Sequence, residues 1–210
     1  MEINLQFFDF GNKIILENEA VLLRPLEETD YKNLIHFSLS EPEIWKYSLV
    51  QPIGEEGLKN YLKTAVAGRA SKTEFPFIVR DKRSQQYAGS TRFYDINASS
   101  NCLKLGYTWY GSEYQGTGLN KNCKYLLLEY AFEVLGVERV EFRADNDNLR
   151  SIRAMKSIGC REEGVLRSDG YKPNGERRDS IVLSILKPEW SGGVKENLQA
   201  KISQSTTNFV

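Results

Sequence analysis

Two stretches of the chain carry residue types and spacing suited to chemistry. The first is Tyr110-Gly111-Ser112-Glu113-Tyr114-Gln115-Gly116-Thr117-Gly118-Leu119-Asn120, which joins an alternating aromatic run to a long amphipathic one. A strand that turns directly into a helix leaves the first amides of that helix unpaired, at the positive end of its macrodipole. Glycines at such a junction let the backbone come close to a ligand with no Cβ in the way. The combination makes an anion cradle, suited most simply to a phosphate or pyrophosphate. The competing reading is a tight turn that uses glycine only for its φ angles. Two familiar phosphate loops do not fit. Gly111 and Gly116 have the Walker A spacing, but Thr117-Gly118 follow where that loop needs a lysine and a hydroxyl. A Rossmann fingerprint would need glycine at Lys121.

The second stretch is Asp145-Asn146-Asp147-Asn148-Leu149-Arg150-Ser151. Asn148 is a good helix N-cap, and acidic residues ahead of a helix favour its positive end, so the motif opens a helix whatever else it does.

Counting removes several other chemistries. The chain has 210 residues, and its 28 basic side chains balance 28 acidic ones. That balance argues against coating a nucleic acid, which requires a basic excess. One histidine, His36, nearly excludes histidine-based metal sites and Ser–His–Asp triads, and no metal is expected. Cys102, Cys123 and Cys160 are odd in number and widely spaced, so they read as small buried hydrophobes and not as a disulfide framework. The apolar runs fall well short of the roughly 18 residues that cross a bilayer, and no secretory leader pattern opens the sequence. A reduced, cytoplasmic setting without membrane partners is expected.

The elements that must position the two motifs follow from the hydrophobic period. Residues 13–24 read as two short strand-like runs about a turn at 17–19, with Pro25 ending the ladder and Thr29 capping a helix to about Ser40. A second helix starts near Glu55. Residues 75–81 and 87–96 read as antiparallel neighbours, and 103–110 as a third strand. After Gly118 a long helix carries Leu119, Cys123, Leu126, Leu127, Tyr130 and Val134 on one face and closes at Gly136. Then come a strand at 139–144, a helix from Asn148 to Ile158, and strands at 160–167 and 179–186 joined by a turn-rich 169–178. Residues 1–190 are expected to form one domain. Residues 191–210 form a tail: a Ser191-Gly-Gly linker, a short helix with Val194, Leu198 and Ile202 on one face, and a frayed end from 204.

With these pieces in order, the chain resembles the GNAT N-acetyltransferases. Gln115-Gly116-Thr117-Gly118 is similar to their Q/R-x-x-G-x-G/A region in a shortened form. The ordered set QGTG-x-N, YAFE, RVEFR, DN-x-x-S and EGVLR over roughly 60 residues looks like the RimJ/RimL type, which acetylates protein N-termini. The resemblance implies an α/β fold: a mixed, mostly antiparallel, twisted sheet of about seven strands, flanked by helices and splayed where acetyl-CoA sits. It places the pyrophosphate over the amides of Gln115, Gly116, Thr117, Gly118 and Leu119, with Asn120 beside them. Asn148 would contact the pantetheine arm, and Ser151 would lie near the thiol sulfur. A hydroxyl there can stabilise or protonate the leaving thiolate. Many members carry a tyrosine for that task where this chain has Met155, so Ser151 inherits the role.

The general base is less determined. The carboxylate that some members place before a tyrosine is Gly170 here, ahead of Tyr171, and Asp169 is one residue early. The glutamate that other members carry on the strand 103–110 is Lys104. Glu162, Glu163 and Asp179 are further candidates, with Asp179 reading as a paired structural carboxylate. Tyr107, Trp109 and Tyr171 are the candidate wall of an acceptor groove. The expected activity is acetyl transfer from acetyl-CoA to a primary amine, first of all the α-amine of a protein or peptide N-terminus, by a monomer or homodimer. A small-molecule amine acceptor or a non-catalytic acyl-CoA-binding domain are the alternatives.

Overall fold

The computed structural model describes residues 10–11 and 13–207, with side chains through 204. The expected lead-in, 1–12, therefore lies almost wholly outside the described residues. β1 (Leu16–Glu17) and β2 (Val21–Pro25) form a hairpin closed by Asn18, whose side-chain oxygen accepts the amides of Ala20 and Val21 at 2.9 and 3.0 Å. Pro25 is the last residue of the ladder, opposite Phe77. Thr29 does not cap the next helix. Glu28–Asp30 form a 3-10 turn, and Asp30 precedes α1 (Tyr31–Ser40). The buried Asp30 carboxylate is gripped by both guanidinium nitrogens of Arg24, at 2.6 and 2.9 Å, and so does not cap α1.

After α2 (Gly54–Ala70) come the antiparallel β3 (Glu74–Asp81), β4 (Gln86–Asn97) and β5 (Cys102–Tyr110). α3 (Leu119–Glu129) leads through a π-helical turn, Tyr130–Val134, to β6 (Arg139–Asp145). The wide turn changes the phase of the helix. Val134, expected on the buried face, is 67% exposed, and Leu135 is buried in its place. α4 (Leu149–Ser157) precedes β7 (Arg161–Tyr171) and β8 (Arg177–Leu186). These two strands run further than expected: the connection is Lys172–Glu176, closed by the Lys172 amide on the Glu176 carbonyl at 2.8 Å. α5 (Lys187–Glu189) and α6 (Lys195–Thr207) end the described chain, with a kink at Gly192 and Gly193 between them. Leu198 is buried, and Val194 and Ile202 pack on the core, so this helix docks through the expected face. It runs to Thr207, past the point where fraying was expected.

The described strands make one mixed sheet in the order β1-β2-β3-β4-β5-β6-β8-β7, eight where about seven were expected. Helices α1 and α2 pack on each other and on β4 and β3, while α3 packs on β1, β2 and α6. Among the described strands only β5 and β6 are parallel neighbours. They pair over just three residues, Cys102–Lys104 against Arg139–Glu141. Beyond them β5 stays with β4 to Tyr110, and β6 stays with β8 to Asp145. The sheet therefore opens into a V, as expected from the resemblance. Past the junction each arm pairs its backbone on its outer side only.

The β4–β5 arm is kept close by Gly89. A Cβ built there would lie 2.1 Å from the carbonyl oxygen of Trp109, a backbone atom that cannot swing aside. Gly89→Ala should destabilise the fold by about 1–3 kcal/mol, the usual cost of overpacking, measurable by urea denaturation. Wild-type stability in that variant would mean that the two strands do not approach this closely.

Candidate active site

The V encloses a cavity of about 530 Å³. Leu105–Tyr110 line one wall and Phe142–Asp145 the other, the very segments that lack a partner across the gap. Both sequence motifs open onto it. From the glycine turn come Gln115, Gly116, Gly118 and Asn120; from the start of α4 come Asn148 and Ser151. Thr117 and Leu119 do not line the cavity. The Thr117 hydroxyl donates back to the Tyr114 carbonyl at 2.8 Å and accepts the Leu119 amide at 3.4 Å, and the Leu119 side chain is buried in the core, so neither side chain faces a ligand.

The turn has the features of an anion cradle. Gly118 is the N-cap of α3 with φ +87°, a left-handed conformation that glycine adopts without strain, and having no side chain it cannot cap the helix itself. Among the described residues the only side-chain contact to the first-turn amides is a long one, the Leu119 amide on the Thr117 hydroxyl at 3.4 Å. Its first amides thus have no intrahelical acceptor. A Cβ at Gly116, φ +78°, would meet no atom within 4 Å, so open space lies over the turn. Gln115 donates to the Tyr110 carbonyl at 2.8 Å, which anchors the turn to β5, and its side-chain oxygen accepts from Arg150 at the start of α4. That contact bridges the two motifs across the cleft.

At α4 the Asn148 side chain accepts the Ser151 amide at 3.1 Å, so capping is real. The Ser151 hydroxyl has no hydrogen-bond partner among the described residues and is not spent on the fold. Met155, where a tyrosine would stand, also lines the cavity and offers no proton.

The aromatic wall divides. Tyr107 is 36% exposed, sits at φ +49° in a bulge of β5 and stacks beneath Arg92 at 4.2 Å. Burial raises its hydroxyl pKa above the ordinary tyrosine value. Trp109 is nearly buried and donates to the Tyr61 hydroxyl at 3.3 Å. Tyr171 is 64% exposed, is stacked under Arg177 at the far end of β7, and is not among the lining residues.

The base candidates are all engaged. Asp169 lines the cavity but lies 3.5 Å from Arg143. Glu162 pairs with Lys156, Glu163 with Arg139 and the Ser184 hydroxyl, and Asp179 accepts the Ser168 amide at 2.7 Å. Lys104 pairs with Asp95 at 2.7 Å.

Sequence reasoning missed Lys124. It belongs to none of the expected apolar positions of α3, yet it is buried, and its ammonium reaches the Thr108 and Thr91 hydroxyls at 2.8 and 3.3 Å. It has no carboxylate within 4.0 Å among the described residues, and burial pulls its pKa down to about 8. The signal was the run Cys123-Lys-Tyr-Leu-Leu-Leu128, apolar on all sides of the lysine. Arg150 was missed as well, because nothing in the sequence says that it spans the cleft.

The acetyltransferase (GNAT) domain family pattern matches residues 20–161, and the chain belongs to that family. It is 28% identical over 182 residues to the N-acetyltransferase p20 of Bacillus licheniformis, covering 84% of this chain and 98% of that protein. The spermidine N(1)-acetyltransferase of Escherichia coli is 30% identical over 171 residues, 81% of this chain and 88% of that one. Among solved structures, a GCN5-related N-acetyltransferase from Brucella melitensis superposes with a TM-score of 0.83 at 26% identity, over 91% of this chain and 86% of that one. RimJ of Mycobacterium smegmatis, solved with CoA-disulfide, shares the fold at a TM-score of 0.76 and 18% identity, over 90% and 93% of the two chains. The protein is an acetyltransferase, and GNAT enzymes use acetyl-CoA as acyl donor. No helix among the described residues is long and apolar enough to cross a membrane, and no described cluster of side chains could hold a metal.

Lys124 gives the site a signature in stability. Its proton is bound more weakly in the folded chain, at about 8, than in the unfolded one, near 10.5. At pH 7 the charge therefore opposes folding, and that penalty disappears as pH rises from about 8 to about 10.5. Lys124→Met should be more stable than wild type at pH 7, and the gap should close across that window in paired melts. A gap independent of pH would show that the lysine is not buried as a charge.

Proposed function

We propose that the protein transfers an acetyl group from acetyl-CoA to the α-amine of a peptide or protein N-terminus. The donor's pyrophosphate would lie over the amides of residues 115–119, where the glycine-capped helix start and the open space at Gly116 suit it. Asn120 and Asn148 would flank the chain of the donor, and Ser151 would face its sulfur. Bound acetyl-CoA supplies an activated acyl carbon, which the protein has to orient against a neutral amine. Tyr107 and Trp109 would wall the acceptor groove, with Tyr171 reduced to an outlying contact.

The choice of acceptor rests on one observation: every carboxylate lining the cavity already faces a cation. Asp95 pairs with Lys104 at 2.7 Å, Asp169 with Arg143 at 3.5 Å, and Asp145 lies 4.0 Å from Lys172. Each is thus already partnered, and among the described residues no carboxylate stands free over the cavity to take a proton. A lysine amine, with a pKa of about 10.4, is well under ~1% neutral at pH 7 and needs such an acceptor. An α-amine, at about 7.7–8.0, is already on the order of 10% neutral. The lining also argues against a polyamine, despite the spermidine-acetylating relative. It carries six cationic side chains, Lys104, Lys121, Lys124, Arg143, Arg150 and Arg178, against three carboxylates. A polycation would meet no free negative charge there.

A short peptide with a free N-terminus should show a higher kcat/KM than the same peptide blocked at its N-terminus with an internal lysine, and higher than spermidine. A preference for spermidine or lysine would overturn the acceptor assignment and point to a freed carboxylate, Asp169 or Asp95 first. For the donor, CoA should raise the Tm of wild type and of Gly116→Asn, which keeps a side chain tolerant of positive φ, but not of Gly116→Asp. Equal protection of the aspartate variant would place the phosphate elsewhere.

A further inference from the structure

Lys124 is a buried cation whose negative partner the described protein does not supply. Its ammonium is reached from four elements. Thr91 on β4 and Thr108 on β5 bind it through their hydroxyls, Cys123 neighbours it on α3, and Cys160 approaches from the segment after α4. The ring of Phe142 on β6 lies 5.9 Å away. The titratable groups among these are the two thiols. Burial pushes Cys123 up to about 12 and Cys160 higher still, so neither offers a charge at neutral pH.

The place of this ammonium in the fold is informative. Thr91 stands opposite the bulge, where the β4–β5 register slips between Ser90 and Arg92 and two residues, Tyr107 and Thr108, face one. The Thr91 and Thr108 hydroxyls also bond each other, at 2.8 Å. Lys124 thus ties α3 to the bulge in the splayed part of β5, beyond the junction with β6, and it lines the same cavity as Ser151 and Met155. A cation held there without an anion costs stability, and its hydroxyl partners fix where it points.

We propose that Lys124 provides the counter-charge for the thiolate that leaves when acetyl-CoA is consumed, with Thr91 and Thr108 aiming it. The inference rests on the acetyl-CoA reading above and adds a residue to it. In the step concerned, the amine nitrogen bonds to the acetyl carbon and the carbon–sulfur bond breaks with its electron pair on sulfur. The surplus proton on nitrogen passes to solvent, and the thiolate remains opposite the ammonium until water protonates it. An ammonium needs no matched proton transfer for this: the charge itself lowers the energy of the departing anion, and more strongly in a water-poor cleft. It also accounts for how the chain manages with Met155 where a hydroxyl donor would stand.

The thiol of bound CoA reports this directly, with no acceptor needed. Thiolate absorbance in the ultraviolet, followed against pH for CoA on excess protein, should show the bound thiol ionising at least about one pH unit below free CoA, a tenfold change in its acid constant. On Lys124→Met it should ionise at or above the free value. Thr108→Val, which keeps the lysine but loosens its aim, should fall between. Lys124→Arg, permanently charged, should retain the downward shift if it folds. Alongside, kcat of Lys124→Met should drop on the order of 10- to 100-fold with KM for acetyl-CoA little changed. If bound CoA ionises alike on wild type and Lys124→Met, or on wild type and Thr108→Val should Lys124→Met not fold, the proposal is overturned while the acetyl-CoA reading stands. If wild type binds no CoA, the donor reading fails first and this inference with it.

Discussion

The site depends on where β5 and β6 stop pairing. Their three shared residue pairs, ending at Lys104 and Glu141, make one sheet of the two halves. Every further pair would close the cleft. Each strand keeps its other neighbour, β4 or β8, through the splayed region, so opening the V leaves each arm bonded along one edge. Exposing backbone groups costs least where a ligand or water can reach them. The unpaired edges therefore double as a polar lining for whatever enters.

Charge is distributed in keeping with that opening. Near the junction Glu141 is ringed by Arg139, Arg143 and Lys104, which hold its carboxyl below the ordinary range against the opposing effect of burial. This cluster ties the two arms together at the closed end of the V. Toward the open end the cations outnumber the carboxylates, with Arg150 and Lys121 on the side of the glycine turn. A cleft of this sign draws an anionic donor.

Much of this could be read from the residues. The glycines at 116 and 118 marked a strand-to-helix turn with free amides, and Asn148 marked the start of α4, because caps and positive φ depend on local chemistry. Strands and helices followed from their periods for the same reason. Long-range contacts were not legible. Thr29, expected to cap α1, falls inside a 3-10 turn whose last residue, Asp30, is held by Arg24, six residues earlier, and Tyr171 came to rest outside the cavity because β7 runs on past its bulge. Val134 turned outward on a π-turn that no hydrophobic period announces. Lys124 was hidden because a lysine in a helix is ordinarily solvated, and only the reach of its side chain to Thr91, Thr108 and Phe142 on three different strands makes it a buried charge.

Everything proposed for the site requires that the V be the donor cleft. A crystal structure of the protein with CoA tests that most directly. The expected result is a pyrophosphate over the amides of residues 115–119, Arg150 drawn from Gln115 toward the phosphates, and the pantetheine arm running between β5 and β6 past Asn148 toward Ser151 and Lys124. CoA bound on an outer face of the sheet, with the V left to water, would contradict it.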